Sequence, residues 1–226
     1  MKTIYSKNKK DLFLYASNLI EDLINNLLKK KDKIIIGVSG GRNAKGIYCE
    51  LSKKEIKWDK VHIFMVDERL VSLKNDESNF KIAKENLIDK IEINYKNLHP
   101  FILKNKKDYG LKDYTDEFKE FKKYDIILLS AGEDCHIGSI FPEHNSFKNE
   151  SKYFILMDDS PKQPPGRISM SKNLIKKSEN AILFFIGDKK EAYSNFLNDS
   201  FKEINCPAKL IKHCKNYFVF TNLKIK

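Results

Sequence analysis

Apolar residues fall along this chain in two alternating rhythms. Over residues 11–31 they recur at Leu12, Tyr15, Ala16, Leu19, Ile20, Leu23 and Leu27, the spacing of an amphipathic helix with Asp11 as its N-cap. Residues 33–38 then form a continuous apolar run of strand length, Lys33-Ile34-Ile35-Ile36-Gly37-Val38, followed at once by Ser39-Gly40-Gly41-Arg42-Asn43 and a helix to about residue 54. The same alternation continues. Runs at 61–66, 124–129 and 181–186 read as strands buried on both faces, as in a parallel sheet. Shorter strands are expected at 98–101, 153–157, 167–171 and 217–220. Helices are expected at 79–90, at 109–123 and from Gly187 to about residue 197. Strands alternating with helices over the whole length, without repeats or linkers, predict one doubly wound α/β domain over 1–226, its mostly parallel sheet covered by helices on both faces.

Parallel sheets bind ligands beyond the carboxyl ends of their strands. The runs at 33–38, 61–66 and 124–129 should therefore lie adjacent and parallel with 181–186, and their ends deserve the closest reading. The first ends in the Ser39-Gly40-Gly41 turn, where glycines let backbone approach an anion and the first helical N–H groups point at it. A tight strand-to-helix turn also favours glycine, and the spacing matches neither common nucleotide-binding loop. The second ends in Asp67-Glu68-Arg69, three charges that the rim of a sheet could simply solvate. The third ends in Gly132-Glu133-Asp134-Cys135-His136, a carboxylate and an imidazole two residues apart and suited to proton transfer. Taken alone, such a pair also fits a capped helix start.

Composition sharpens this picture. The net charge is +11, but lysines are spread over nearly every segment and no nucleic-acid-binding pattern accompanies them. A basic field of this kind still helps to capture a small anion. Of 42 basic residues only Arg42, Arg69 and Arg167 are arginines, and each lies beside a strand end or a glycine loop. Guanidinium offers a planar fork for phosphate or carboxylate that lysine lacks. Four cysteines without paired or zinc-type spacing predict free thiols and no structural metal. With no apolar run of membrane length and no signal-peptide core after Met1, the chain reads as cytoplasmic and independent of membranes.

With these stretches laid out, the chain resembles the 6-phosphogluconolactonase family over nearly its whole length. Ser39-Gly40-Gly41 is similar to the family's S-G-G-S-T loop, and Asp67-Glu68-Arg69-Leu70-Val71 to its D-E-R-x-V. Gly132 to His136 and Ser139-Ile140-Phe141-Pro142 resemble G-x-D-G-H-T-A-S-L-F-P. The run from Ser160-Pro161-Lys162 to Arg167-Ile168-Ser169-Met170 resembles S-P-K-P-P-P-x-R-I-T-L, and Gly187 to Ala192 the G-x-x-K-x-E-A of a late helix. The resemblance implies the doubly wound fold shared with glucosamine-6-phosphate deaminases, no metal and no cofactor. It implies hydrolysis of 6-phospho-D-glucono-1,5-lactone in the oxidative pentose phosphate pathway. His136 would be the general base toward water, and Asp134 would orient the imidazole or the sugar hydroxyls. Ser39, Gly40, Gly41, Arg69, Arg167 and Lys189 would bind the phosphate and its neighbouring hydroxyls, with Arg42 and Asp67 also counted in the substrate site.

This sequence departs from the family pattern at several positions. Arg42-Asn43 replaces two hydroxyl side chains, and Cys135 stands where the family has glycine, with Ile137 and Gly138 after the histidine. If the backbone at 135 takes a positive φ, a non-glycine residue costs roughly 1–2 kcal/mol there. Two alternatives follow: a sugar-phosphate isomerase or deaminase of the same fold, or a sugar-phosphate-binding module impaired in catalysis. Some lineages fuse this lactonase to glucose-6-phosphate dehydrogenase, and a chain ending directly after a strand at Lys226 is expected to suit such an arrangement.

Overall fold

The computed structural model describes residues 2–104 and 108–224. The expectation of fusion drawn from the chain end at Lys226 falls outside them. Among the described residues no helix is long and apolar enough to cross a membrane.

Seven strands form one all-parallel sheet. They are β1 (Lys2–Tyr5), β2 (Ile34–Val38), β3 (Val61–Met65), β5 (Leu98–His99), β6 (Ile126–Ser130), β9 (Asn180–Phe185) and β10 (Asn216–Thr221). Their order is β1-β10-β9-β6-β2-β3-β5. The four strands expected to be adjacent are therefore neighbours, β9-β6-β2-β3. Every residue of β2 and β9 is buried, which explains their unbroken apolar runs. Chain order reverses between β2 and β6: β3 and β5 extend one way, β9 and β10 the other. That reversal opens a crevice at the carboxyl ends of β2 and β6.

Helices cover both faces. On one side lie α1 (Lys9–Leu28), α2 (Arg42–Leu51) and α3 (Asn79–Asn86); α1 inserts Leu12, Ala16, Ile20 and Ile24, one stripe at four-residue spacing. On the other lie α4 (Leu111–Lys119), α6 (Lys172–Lys177) and α7 (Lys190–Leu197). Asp125, fully buried just before β6, ties the centre together: its carboxylate accepts the Ile35 N–H at 2.9 Å and pairs with Lys31.

The structure corrects the sequence reading at several points. Lys2–Tyr5, read only as lacking a signal core, is the edge strand β1; three exposed residues in four hid it. Asn8, not Asp11, caps α1, accepting the Lys10 N–H, while Asp11 receives Asn8 Nδ2 at 3.1 Å. Most of the expected helices end earlier, with 79–90 closing in a 3₁₀ turn at Ile88–Lys90, while the last ends at Leu197 as expected. The short helices α5 (Asn145–Lys148) and α6 were not among the expected elements. The largest correction concerns the sheet itself. Asp67-Glu68-Arg69 is not a solvated rim but a strand, β4 (Asp67–Arg69), which pairs antiparallel with β8 (Arg167–Met170) and β8 with β7 (Phe154–Met157). This second sheet stands over the carboxyl ends of the first.

Far from that crevice, His62 on β3 places Nδ1 2.9 Å from His99 Nε2, and His99 Nδ1 lies 2.5 Å from Glu117 Oε1. Burial, then the neighbouring His99, Lys33 and Lys96, hold His62 down at about 4, with Glu117 opposing. An unfolded histidine titrates near ~6.5, so between there and about 4 the unfolded chain binds a proton that native His62 refuses. The contribution of His62 to stability should therefore fall as pH drops through that window and stay constant below it. Thermal unfolding from pH 7 to 4 checks this, and His62→Gln should flatten the profile.

Candidate active site

Strand ends and the second sheet enclose a cleft of about 670 Å³. Ser39, Gly40, Gly41, Arg42, Asp67, Arg69, His136, Arg167 and Lys189 all line it. Asp134, the remaining predicted residue, is not part of the lining but holds His136 from beside it.

The dyad is built locally. After β6 the chain turns through Gly132, whose N–H donates to the His136 carbonyl at 2.8 Å, while the Cys135 N–H donates back to the Gly132 carbonyl. Asp134 Oδ1 lies 2.5 Å from His136 Nδ1 and accepts the His136 backbone N–H at 3.3 Å. A Cβ on residue 132 would fall 2.1 Å from His136 Nδ1, so only glycine lets the imidazole lie so close to the backbone. Half-burial by itself would raise the Asp134 carboxyl, but its bond to His136 and the charge there bring it down to about 2. An ionised Asp134 on Nδ1 fixes the tautomer that leaves Nε2 with its lone pair. Nε2 has no partner among the described residues, and Phe141 backs the ring at 4.8 Å.

Cys135 adopts φ +70°, the left-handed conformation suspected from its replacement of glycine. Its side chain leaves the cleft: Sγ is buried and lies 3.0 Å from the Ala192 carbonyl. Contact with Cys206, then burial, pushes its thiol well above the ordinary range. A protonated, enclosed thiol does not serve as a nucleophile.

The cations differ in how free they are. Arg167 spends Nε on the Pro164 carbonyl and Nη2 on those of Lys162 and Gln163, each at 3.0 Å, so it shapes the loop above the cleft as well as lining it. Arg69 Nη1 donates to the Glu77 carbonyl at 2.5 Å, whereas its Nε is buried without a partner. Lys189 donates to Ser130 Oγ at 3.2 Å and to the Ala131 carbonyl. Burial, then the charge of Arg42, holds it down at about 8. Arg42, in the first turn of α2 behind Gly41 (φ +97°), is exposed and has no hydrogen-bond or ion-pair partner among the described residues. Opposing carboxylates are largely occupied: Asp67 accepts Ser139 Oγ at 2.9 Å, and Glu133 pairs with Lys162 at 2.6 Å. Cationic side chains and unpaired N–H groups at the start of α2 thus face one space together, a site for an anion of small size. No three His, Cys, Asp or Glu side chains among the described residues cluster as metal ligands would.

Sequence reasoning missed Lys9, Asn79 and Lys162 in the lining. Lys9 and Lys162 were invisible among so many surface lysines, and Asn79 read only as a helix start. It also missed Glu68, whose buried carboxylate accepts the N–H groups of Arg69, Asn79 and Phe80, each at 2.7 Å, and Ser78 Oγ at 3.0 Å. A charge inside a motif at a strand end could have signalled it.

An α/β fold with an aspartate-held imidazole beside a cationic cleft at its switch point has the chemistry to bind a small anion and to move a proton beside it. Comparison with known proteins narrows it. A family described as glucosamine-6-phosphate isomerases/6-phosphogluconolactonase matches residues 7–220. A 6-phosphogluconolactonase of Borreliella burgdorferi is 32% identical over 231 positions, covering 99% of this chain and 97% of the relative. One from Helicobacter pylori is 30% identical, covering 90% of this chain and 88% of its own. The crystal structure of the Thermotoga maritima 6-phosphogluconolactonase superposes with a TM-score of 0.86 over 97% of both chains at 23% identity, a likeness of fold. The chain belongs to the glucosamine-6-phosphate isomerase/6-phosphogluconolactonase family.

The state of Lys189 gives a prediction. An anion bound beside it should restore its full charge, so binding near pH 8.5 should take up a proton. Sulfate, which does not titrate there, should bind with a heat that varies with buffer ionisation enthalpy. Its affinity should weaken as pH rises through about 8. Calorimetry in two buffers tests both, and Lys189→Arg should abolish the proton uptake.

Proposed function

We propose that this chain hydrolyses 6-phospho-D-glucono-1,5-lactone to 6-phosphogluconate, a step of carbohydrate metabolism that belongs in the cytoplasm. The observation that carries the reading is the Asp134–His136 pair, with Nε2 free, on the wall of a cationic cleft. The substrate phosphate sits against the N–H groups of the Ser39-Gly40-Gly41 loop, with Arg42 and Lys189 balancing its charge. The lactone carbonyl then lies toward His136.

Chemistry follows from what the dyad can do. His136 Nε2 takes a proton from a water molecule as that water attacks C1. Asp134 stays ionised and stabilises the imidazolium without accepting the proton. When the tetrahedral intermediate collapses, the ester bond to the ring oxygen breaks and His136 returns the proton to that oxygen. Water has been added and the dyad is restored. A lactone is an activated ester, so a positioned base and nearby cations suffice without a covalent nucleophile, consistent with the enclosed Cys135 thiol. The intact dyad argues against a binding module that has lost catalysis. Asp67-Glu68-Arg69 and Phe141-Pro142 keep the lactonase D-E-R and F-P, which favours that reading over the deaminase alternative.

Loss of a positioned base is worth about 10²–10⁴-fold in rate. His136→Ala should lower kcat by that order, read as acid release at constant pH, while sulfate affinity stays within a few-fold. Asp134→Asn should also lower kcat, because an amide can hold the wrong tautomer. Turnover near the wild-type rate in His136→Ala would overturn the role assigned to it.

A further inference from the structure

Two buried polar atoms in residues of the cleft wall are left without partners among the described residues, and they are of opposite kinds. Asn79 is 2% exposed, and its Oδ1 is buried with no hydrogen bond. Its amide orientation is not arbitrary: Nδ2 donates to the Asp67 carbonyl at 2.9 Å, which an oxygen in that place could not do. The atom left over is therefore an acceptor. On the same wall, Arg69 Nε is buried and unpartnered, and it is a donor. Both residues are fixed by one group, since their backbone N–H groups share Glu68 Oε1 at 2.7 Å each. Buried orphans of this sort are rare in native proteins and call for a missing partner.

The chemistry of the pair selects that partner. A phosphate or carboxylate would be repelled by the amide oxygen, and an ammonium by the guanidinium. A hydroxyl satisfies both, accepting from Arg69 Nε and donating to Asn79 Oδ1. What covers Oδ1 is the backbone of Gly40: a Cβ there would fall 1.8 Å from it. Gly40 has no side chain there, so a ligand reaches Oδ1 only once the Gly40 backbone moves aside. We propose that Asn79 and Arg69 Nε together form a subsite for one hydroxyl of the sugar, making Asn79 a specificity-determining residue. This rests on the lactonase reading above and deepens it.

The test pairs enzyme variants with substrates. Wild type and Asn79→Ala are assayed for kcat/KM on 6-phosphogluconolactone and on 6-phospholactones lacking one ring hydroxyl at a time. Leaving a buried polar group unpaired costs about 1–3 kcal/mol, or roughly 5–150-fold. Wild type should disfavour one particular deoxy lactone by that factor. Asn79→Ala should lose about the same factor on the full substrate and almost none on that deoxy lactone. Thermal unfolding and sulfate affinity report whether the variant is folded, and Asn79→Ser replaces it if Ala is not. An equal loss on every lactone, or wild-type indifference to every hydroxyl, would overturn the subsite while leaving lactonase activity intact. Absence of any lactonase activity in wild type would overturn the underlying reading together with it.

Discussion

A carboxylate with no exposure to solvent holds this site together. Glu68 receives two N–H groups at the start of α3, the N–H of Arg69 and the hydroxyl of Ser78. Burial raises its pKa, and the backbone donors work against that rise. A charge so deep in a protein is costly unless its lone pairs are all engaged. Here they are, and the end of a helix supplies donors that would otherwise be orphans. One side chain thereby joins the arginine strand β4 to the start of α3, where Asn79 stands. Strand and helix could not move apart without leaving a buried carboxylate unmatched.

From this anchor the rest of the cleft follows. Asp67, one residue earlier, receives Ser139 Oγ, and Ser139 N–H donates to Ser169 Oγ at 3.1 Å on β8. The loop that carries His136 is thus tied to the second sheet, while the strand that launches it belongs to the first. The parallel sheet brings the glycine turn and the dyad together at its switch point, and the antiparallel sheet closes the far wall. Neither sheet alone would make a cleft.

How much of this the sequence revealed depended on the reach of the interactions. The central strands β2, β3, β6 and β9 were legible because burial on both faces writes an unbroken apolar run. The dyad was legible because its partners are two residues apart, so geometry follows from local turns. β1 was not legible: an edge strand needs few apolar residues and takes its register from β10, more than two hundred residues later. Nor was β4, since three charged residues do not read as a strand. Their burial depends on α3 and on residues 139 and 169. Asn79 fell in the same class, because its importance lies in a bond it lacks.

The scarce arginines all line one cleft, but for two of them the structural role comes first. Arg167 and Arg69 each spend donors on backbone carbonyls, so their first effect is to fix the walls of the cleft. Only Arg42 stands unengaged, in the position where the family pattern has a hydroxyl residue. A guanidinium already locked by carbonyls loses little freedom when an anion arrives, and it keeps its full charge when buried, as lysine does not. Lys189, in the same cleft, shows the contrast, since burial brings its pKa down to about 8. Burial lowers the pKa of Arg167 as well, but a guanidinium starts from far higher than an ammonium. Lysine at 189 therefore leaves one charge that an arriving anion can call up.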